Sequence, residues 1–129
     1  ATPAYLARHG IPPTLAELTN RQCMRTTVVS QWAFVKGKNL FSHLFEPRFI
    51  CNNVEGVRSM CKAGAGLAQL TKADIHSELA TGELVEITLS DAECHMLAIW
   101  ALFPTKRYLP CRVTVFLDAL KSSLKRLMS

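Results

Sequence analysis

The feature that most constrains this chain is a short apolar run that meets a polar cap and is followed by a glycine pair. Phe49-Ile50-Cys51 passes directly into Asn52-Asn53-Val54-Glu55. Asn is a strong helix N-cap, and Glu55 stands three residues after Asn52, the spacing of a capping box. Val54, Val57, Met60 and Cys61 follow at helical spacing, which predicts a helix over 53–63. Gly64-Ala65-Gly66 offers the left-handed residue that closes a helix, and Leu67 to Leu70 reads as a buried strand. Strand, helix, glycine turn and strand make a βαβ unit, which requires parallel strands and a right-handed crossover.

The flanking segments fill out an α/β domain. Ala1 to Gly10 is a short segment ending at a breaker, and Pro12-Pro13 forces extended backbone. Thr14 with Glu17 forms a capping box for a short helix buried through Leu15 and Leu18. From Cys23 to Phe45 the period changes to two, with Lys36-Gly37-Lys38-Asn39 as the turn of a β-hairpin that Pro47 breaks. Thr71 with Asp74 caps a further helix, with Ile75 and Leu79 inward and Gly82 at its end. Glu83 to Leu89 alternates as a strand does. After a polar link, Met96 to Phe103 is apolar on both faces, the mark of a strand buried on both sides, and Pro104 stops it. Val113, Phe116, Leu117, Leu120, Leu124 and Leu127 form one stripe, predicting a last helix over 111–127. Lys121, Lys125 and Arg126 sit near its end, where cations favour the helix dipole. Together these predict a mostly parallel central sheet with helices on both faces.

Composition removes several classes of protein. Hydrophobic residues make up 49% of the 129 and charged residues 19%, too apolar for a disordered tail. The longest apolar run, Met96 to Phe103, is far shorter than the ~18 residues of a membrane span. Ala1-Thr2-Pro3 has neither a basic region nor an apolar stretch, so no signal peptide is expected, and the missing Met suggests a fragment. A net charge of +5 permits an anionic partner, but the basic residues form no dense run. Cys23, Cys51, Cys61, Cys94 and Cys111 include no CxxC pair, so structural zinc is not expected. Reduced thiols in a cytoplasmic protein fit this pattern.

Catalytic motifs do not stand out. G-x-S-x-G, G-x-x-x-x-G-K-[ST] and H-E-x-x-H are missing. Gly64-Ala65-Gly66 looks like part of a dinucleotide loop, yet it follows a helix and precedes a strand, the reverse of that loop. His9, His43, His76 and His95 are scattered and read as surface or satisfied residues. Cys94-His95 are neighbours on one strand and so face opposite ways. No cofactor and no catalytic residue are expected. The Asn52-Asn53 junction is different. It joins the C-terminal end of a strand to a helix N-terminus, where open α/β sheets bind ligands and free N–H groups favour an anion.

The order of motifs resembles one family. Thr2-Pro3-Ala4-Tyr5-Leu6-Ala7-Arg8-His9-Gly10 resembles the "SPAYLARHG" stretch of the effector-binding domain of LysR-type transcriptional regulators. Pro13 to Leu18 is similar to its "TPxDL" helix, Cys23-Met24-Arg25 to its "HxCL" strand and Trp32-Ala33-Phe34 to its "WxF" strand. Cys51-Asn52-Asn53 followed by Ala63 to Ala68 resembles "VND…AGLGIALLP", and Gly82 to Val85 resembles "G-x-L-V". Leu102-Phe103-Pro104, Tyr108-Leu109-Pro110 and Val113 to Leu120 resemble "LYPSRRHLPPKVRAFIDFL". The match runs through essentially the whole chain in the right order. Ala1, Asn53 and Thr71 depart from the usual Ser, Asp and Pro.

The resemblance implies a periplasmic-binding-protein-like (type 2) fold. It implies a distal effector-binding subdomain over 1–93, with the return strand and last helix of the proximal subdomain over 94–129. A small anionic effector would lie in a cleft lined by Asn52, Asn53, Val54 and Glu55, with Thr26 and Thr27 beside them. DNA would be contacted only through an N-terminal helix-turn-helix that this stretch does not hold. A homo-oligomer is expected, because Met96 to Phe103 and the last helix would lack their natural cover; no membrane partner is. The alternative is a solute-binding domain of the same fold, against which the scattered cysteines argue. A small Cys-dependent enzyme is a third reading.

Overall fold

Among the described residues, two three-stranded sheets, one parallel and one antiparallel, stand where the sequence predicts a single mostly parallel sheet. The computed structural model describes residues 1–96, 100–103 and 109–128. The chain divides into two units, Ala1–Met96 and Leu97–Ser129. In chain order the first unit contains α1 (Pro3–His9), α2 (Leu15–Leu18), β1 (Cys23–Thr26), β2 (Trp32–Lys36) and β3 (Asn39–His43). It continues with β4 (Pro47–Cys51), α3 (Val54–Lys62), β5 (Leu67–Ala68), α4 (His76–Thr81) and β6 (Glu93–Cys94). The second unit contains α5 (Cys111–Met128).

The parallel sheet has the order β4-β1-β5. The expected βαβ unit is therefore present as β4-α3-β5, but β1 lies between its two strands. The antiparallel sheet has the order β3-β2-β6. Its β2–β3 hairpin turns at Gly37-Lys38, as expected. A connection that short joins only antiparallel strands. The single hairpin expected from Cys23 to Phe45 thus splits at 27–31, where the chain leaves β1 for the other sheet.

Alternation along β1 explains the two cores. Cys23 belongs to a cluster with Tyr5, Leu6, Leu18, Trp32, Phe34 and Leu67. Met24 belongs to a second cluster with Val57, Cys61 and Leu84. Successive strand residues face opposite ways, so α1 and α2 cover one face of β1 and α3 covers the other. The Gln69 side chain ties the two sheets together. Its Nε2 donates to Ala33 O (2.9 Å), and its Oε1 accepts from Ala33 N (3.2 Å).

Helix ends follow local chemistry. The α1 helix begins at Thr2, whose hydroxyl accepts from Tyr5 N (3.2 Å), with Pro3 in the first turn where its missing N–H costs nothing. The Thr14 hydroxyl accepts from Glu17 N, as expected for α2. Thr71 and Asp74 do bond each other, but they close a turn, and α4 starts later, at His76.

Two expected strands need correction. Glu83 to Leu89 alternates in burial, with Leu84 buried and Glu86 and Thr88 exposed, but it makes no ladder. Its backbone bonds are scattered instead: Leu84 N donates to Glu78 O (3.1 Å), Val85 exchanges bonds with Ala1 (2.8 and 3.2 Å), and just beyond it Ser90 N donates to Pro13 O (2.8 Å). In the expected strand Met96–Phe103, the described residues make no strand, and Met96, Trp100 and Leu102 are 81%, 79% and 88% exposed. Apolar character alone does not make a strand when no ladder partner is supplied among the described residues. Leu97, Ala98, Ile99 and Pro104 lie outside the described residues. Helix α5 forms as predicted. Val113, Leu117 and Leu124 are half-buried, Phe116 and Leu120 are exposed, and Leu127 lies outside the described side chains.

Candidate functional site

Strands β1 and β4 run parallel and end together, with Thr26 opposite Cys51. Helix α3 follows β4 after two residues and returns antiparallel to it, so its N-terminus sits at the C-terminal edge of this sheet. Thr27 N donates to Cys51 O (2.8 Å), which draws the two strand ends close. The edge therefore gathers Thr26 at the end of β1 and Thr27 just beyond it with Asn52 and the cap Asn53 before α3 and Val54 and Glu55 in its first turn.

Their roles differ from one another. The cap is Asn53, not Asn52 as the capping-box spacing predicted. Asn53 has extended backbone, and its Oδ1 accepts from Gly56 N (2.7 Å). Asn52 Oδ1 instead accepts from Asn53 Nδ2 (3.1 Å) and braces the cap. Glu55 does not fold back as a capping-box partner. It pairs with Arg58 one turn on (3.1 Å), which offsets its charge. Val54 is exposed. Thr26 is 7% exposed, and its hydroxyl oxygen has no hydrogen-bond partner among the described residues. By strand alternation Thr26 shares the face of Met24, the face that α3 covers. An unsatisfied buried hydroxyl beside a helix N-terminus is costly unless something bonds to it.

Gly56 holds the helix close to the strand. A Cβ there would meet Cys51 Sγ at 2.2 Å and Asn53 Oδ1 at 3.3 Å. The Cys51 thiol donates weakly to Asn52 Oδ1 (3.7 Å) and Asn53 Oδ1 (4.0 Å), filling the space that the missing side chain leaves.

The sequence profile of the LysR substrate binding domain matches residues 1–125. The chain belongs to this family. It is 31% identical over 131 residues to the HTH-type transcriptional regulator PtxR of Pseudomonas aeruginosa, covering 98% of this chain and 41% of that protein. It is 28% identical over 127 residues to the HTH-type transcriptional regulator CrgA of Neisseria meningitidis, covering 96% of this chain and 42% of that protein. This LysR substrate-binding chain thus spans about two fifths of the length of those relatives. Among solved structures it is similar to the regulatory domain of AphB in Vibrio vulnificus, with a TM-score of 0.75 and 26% identity over 95% of this chain and 62% of that one. The CrgA regulatory domain of Neisseria meningitidis aligns with a TM-score of 0.66 and 26% identity over 96% of this chain and 62% of that one.

Behind the edge of this LysR substrate-binding chain lies a charge network that sequence reasoning missed. Glu78 on α4 is 2% exposed. It accepts from the Ser77 hydroxyl (2.8 Å), from Arg58 Nε (2.9 Å) and Nη2, and from Lys62 Nζ (3.3 Å). Lys62 also pairs with Glu83 (3.3 Å). The Ser77 hydroxyl, and with it Arg58 and Lys62 against the opposing effect of burial, lowers the Glu78 carboxyl from 4.5 to about 2. The only signal in the sequence was that Glu78 follows Ile75 by three residues, on the inward side of the helix. The network fixes α3, and with it Asn53, against α4.

A depressed folded-state pKa stabilises above the unfolded value and loses that contribution as pH falls. Glu78 should therefore add acid sensitivity between about pH 5 and pH 2. Unfolding by urea across that range should show a steeper loss for the natural chain than for Glu78→Gln, which should be less stable at neutral pH. Parallel pH profiles would remove Glu78 from the acid response.

His43 Nε2 lies 2.9 Å from the Thr19 hydroxyl oxygen. Burial pushes the Cys23 thiol up to about 12 and raises that of Cys61. Cys51 and Cys61 lie on β4 and α3 respectively. Among the described residues no group of three or more His, Cys, Asp or Glu is arranged to hold a metal, and no helix is long and apolar enough to cross a membrane.

Proposed function

We propose that this chain is the effector-sensing part of a LysR-type transcriptional regulator, and that it holds a small organic anion at the C-terminal edge of the β4-β1-β5 sheet. Thr26 carries the site reading: a buried hydroxyl without a partner among the described residues, on the sheet face that the capped N-terminus of α3 shares. Asn52, Asn53, Val54, Glu55 and Thr27 complete this wall. Backbone N–H groups and the dipole at the helix start favour negative charge. Family membership and the names of the relatives favour regulation over catalysis, and over the solute-binding alternative.

The wider reading is a periplasmic-binding-protein-like (type 2) architecture, cytoplasmic and without membrane contact. Residues 1–93 form the distal subdomain, and 94–129 return to a proximal one supplied by the rest of the regulator. DNA is reached only through a helix-turn-helix elsewhere in such a protein. The exposed Trp100, Leu102, Phe116 and Leu120 are then surface kept for that subdomain or for a second copy, and a homo-oligomer follows from it.

The test separates capping from binding. A melting-temperature screen of small organic anions should yield a stabilising one. Asn53→Ala should cost about 1 kcal/mol of stability through the lost cap. Asn53→Asp should keep the cap yet weaken binding of that anion about tenfold or more, since it adds a negative charge where the anion sits. No stabilising anion, or equal binding by Asn53→Asp, would defeat the reading.

A further inference from the structure

Arg25 carries a charge that no ion pair among the described residues engages. It lies on the central strand between Met24 and Thr26 and is half-buried. Its Nη1 donates to Thr26 O (3.0 Å) and reaches Val29 O (3.5 Å). Both acceptors lie at or beyond the end of β1, so the guanidinium head is held at the same edge as Thr26, Thr27 and Asn53. Its Nε is buried and has no hydrogen-bond partner among the described residues. None of the ion pairs among the described residues includes Arg25. The nearby cation Arg58, by contrast, is shared between Glu55 and Glu78.

A guanidinium always carries its charge and presents donors in a fixed planar fork. Burying one of those donors without an acceptor is unfavourable, and a charge without a counter-ion more so. Two consecutive residues, Arg25 and Thr26, thus each present a buried polar atom that is unsatisfied among the described residues. Alternation sends their side chains to opposite faces of the sheet. The Arg25 head nevertheless returns to the strand end through the Thr26 carbonyl. Arg25 and the α3 N-terminus therefore stand on the two sides of the strand ends.

We infer that Arg25 is a ligand-binding residue whose guanidinium is the counter-charge for a carboxylate at this edge. The inference rests on the site reading given above and deepens it by naming the chemical class. A carboxylate matches the fork and accepts two parallel N–H bonds. A single negative charge also suits an edge that includes Glu55, which would oppose a dianion such as phosphate.

The test uses sodium benzoate as the probe, with the 129-residue chain, at constant ionic strength maintained with chloride. Heat of binding and amide chemical shifts should report saturable binding in the millimolar range. Arg25→Gln should weaken it about tenfold or more, because the charge-assisted bonds are lost. Arg25→Lys keeps the charge without the fork and should fall between the two; it also serves if Arg25→Gln folds poorly. Inorganic phosphate should bind more weakly than benzoate. Asn53→Asp separates the two readings. If it weakens benzoate while both Arg25 variants bind normally, the helix edge stands and Arg25 is only a staple of the 26–29 loop. If the Arg25 variants lose binding and Asn53→Asp does not, Arg25 stands without the helix. Failure of the natural chain to bind benzoate at tens of millimolar, or tighter binding of phosphate, would overturn the inference.

Discussion

Gly66→Ala should unfold this chain or lower its stability by about 4 kcal/mol or more, the range reserved for severe steric failures. Gly66 has φ +155, and a Cβ there would meet Gln22 O at 2.0 Å and Gln22 C at 2.9 Å. The obstacle is backbone and cannot rotate away. It is also a bonded neighbour, since Leu67 N donates to Gln22 O (2.7 Å) as β5 comes alongside β1. The substitution therefore separates the two strands instead of straining one loop. Total stabilities near 5–15 kcal/mol leave little after such a loss. Urea unfolding followed by circular dichroism measures it, and a change under about 1 kcal/mol would show that β5 can move aside freely.

Met24→Ala should cost about 2–5 kcal/mol. Met24 is 1% exposed and packs with Val57, Cys61 and Leu84, with Phe49 and Ala68 opposite it on the neighbouring strands. Removing it opens a cavity between β1 and α3, and α3 carries the cap at Asn53. Met24→Leu keeps most of the volume and should cost less than about 1.5 kcal/mol. Denaturant midpoints compare the two. Equal effects would mean that Met24 does not set the distance between strand and helix. Its effect on anion binding should follow the same order, because the edge depends on that distance.

The parts of this architecture that local chemistry determines were legible in the sequence. The α3 helix, the Thr14 cap, the Lys36–Asn39 turn and the long α5 each follow from a cap, a glycine or an apolar period. The parts that depend on distant partners were not. Nothing in Cys23 to Phe45 announces that β1 pairs only with strands more than twenty positions away, while β2 pairs with its neighbour β3 on one side and with distant β6 on the other. Glu83 to Leu89 alternates as a strand does, yet its backbone partners are Glu78 and Ala1, so no ladder forms. At the candidate site, the Asn52-Asn53 junction was visible, but which Asn caps was decided by one residue of helix start. Arg25 and Glu78 carry no local signal of burial, because a charged residue ordinarily faces water. Only the fold shows Glu78 buried beneath Arg58 and Lys62, and Arg25 half-buried and in no ion pair among the described residues.

The Gln69 amide bonds both the N–H and the C=O of Ala33, as a peptide group in a neighbouring strand would. It acts as a rivet between the two sheets, set just past β5 at the edge where the anion is proposed to sit. Any shift in the parallel strands on that edge must either break both bonds or carry β2 along. Strand β2 is the middle strand of its sheet, and its other neighbour, β6, ends two residues before the first unit does. A displacement of tenths of an ångström at Thr26 would thus have a covalent and hydrogen-bonded route to the point where the chain leaves that unit, with no helix required to move.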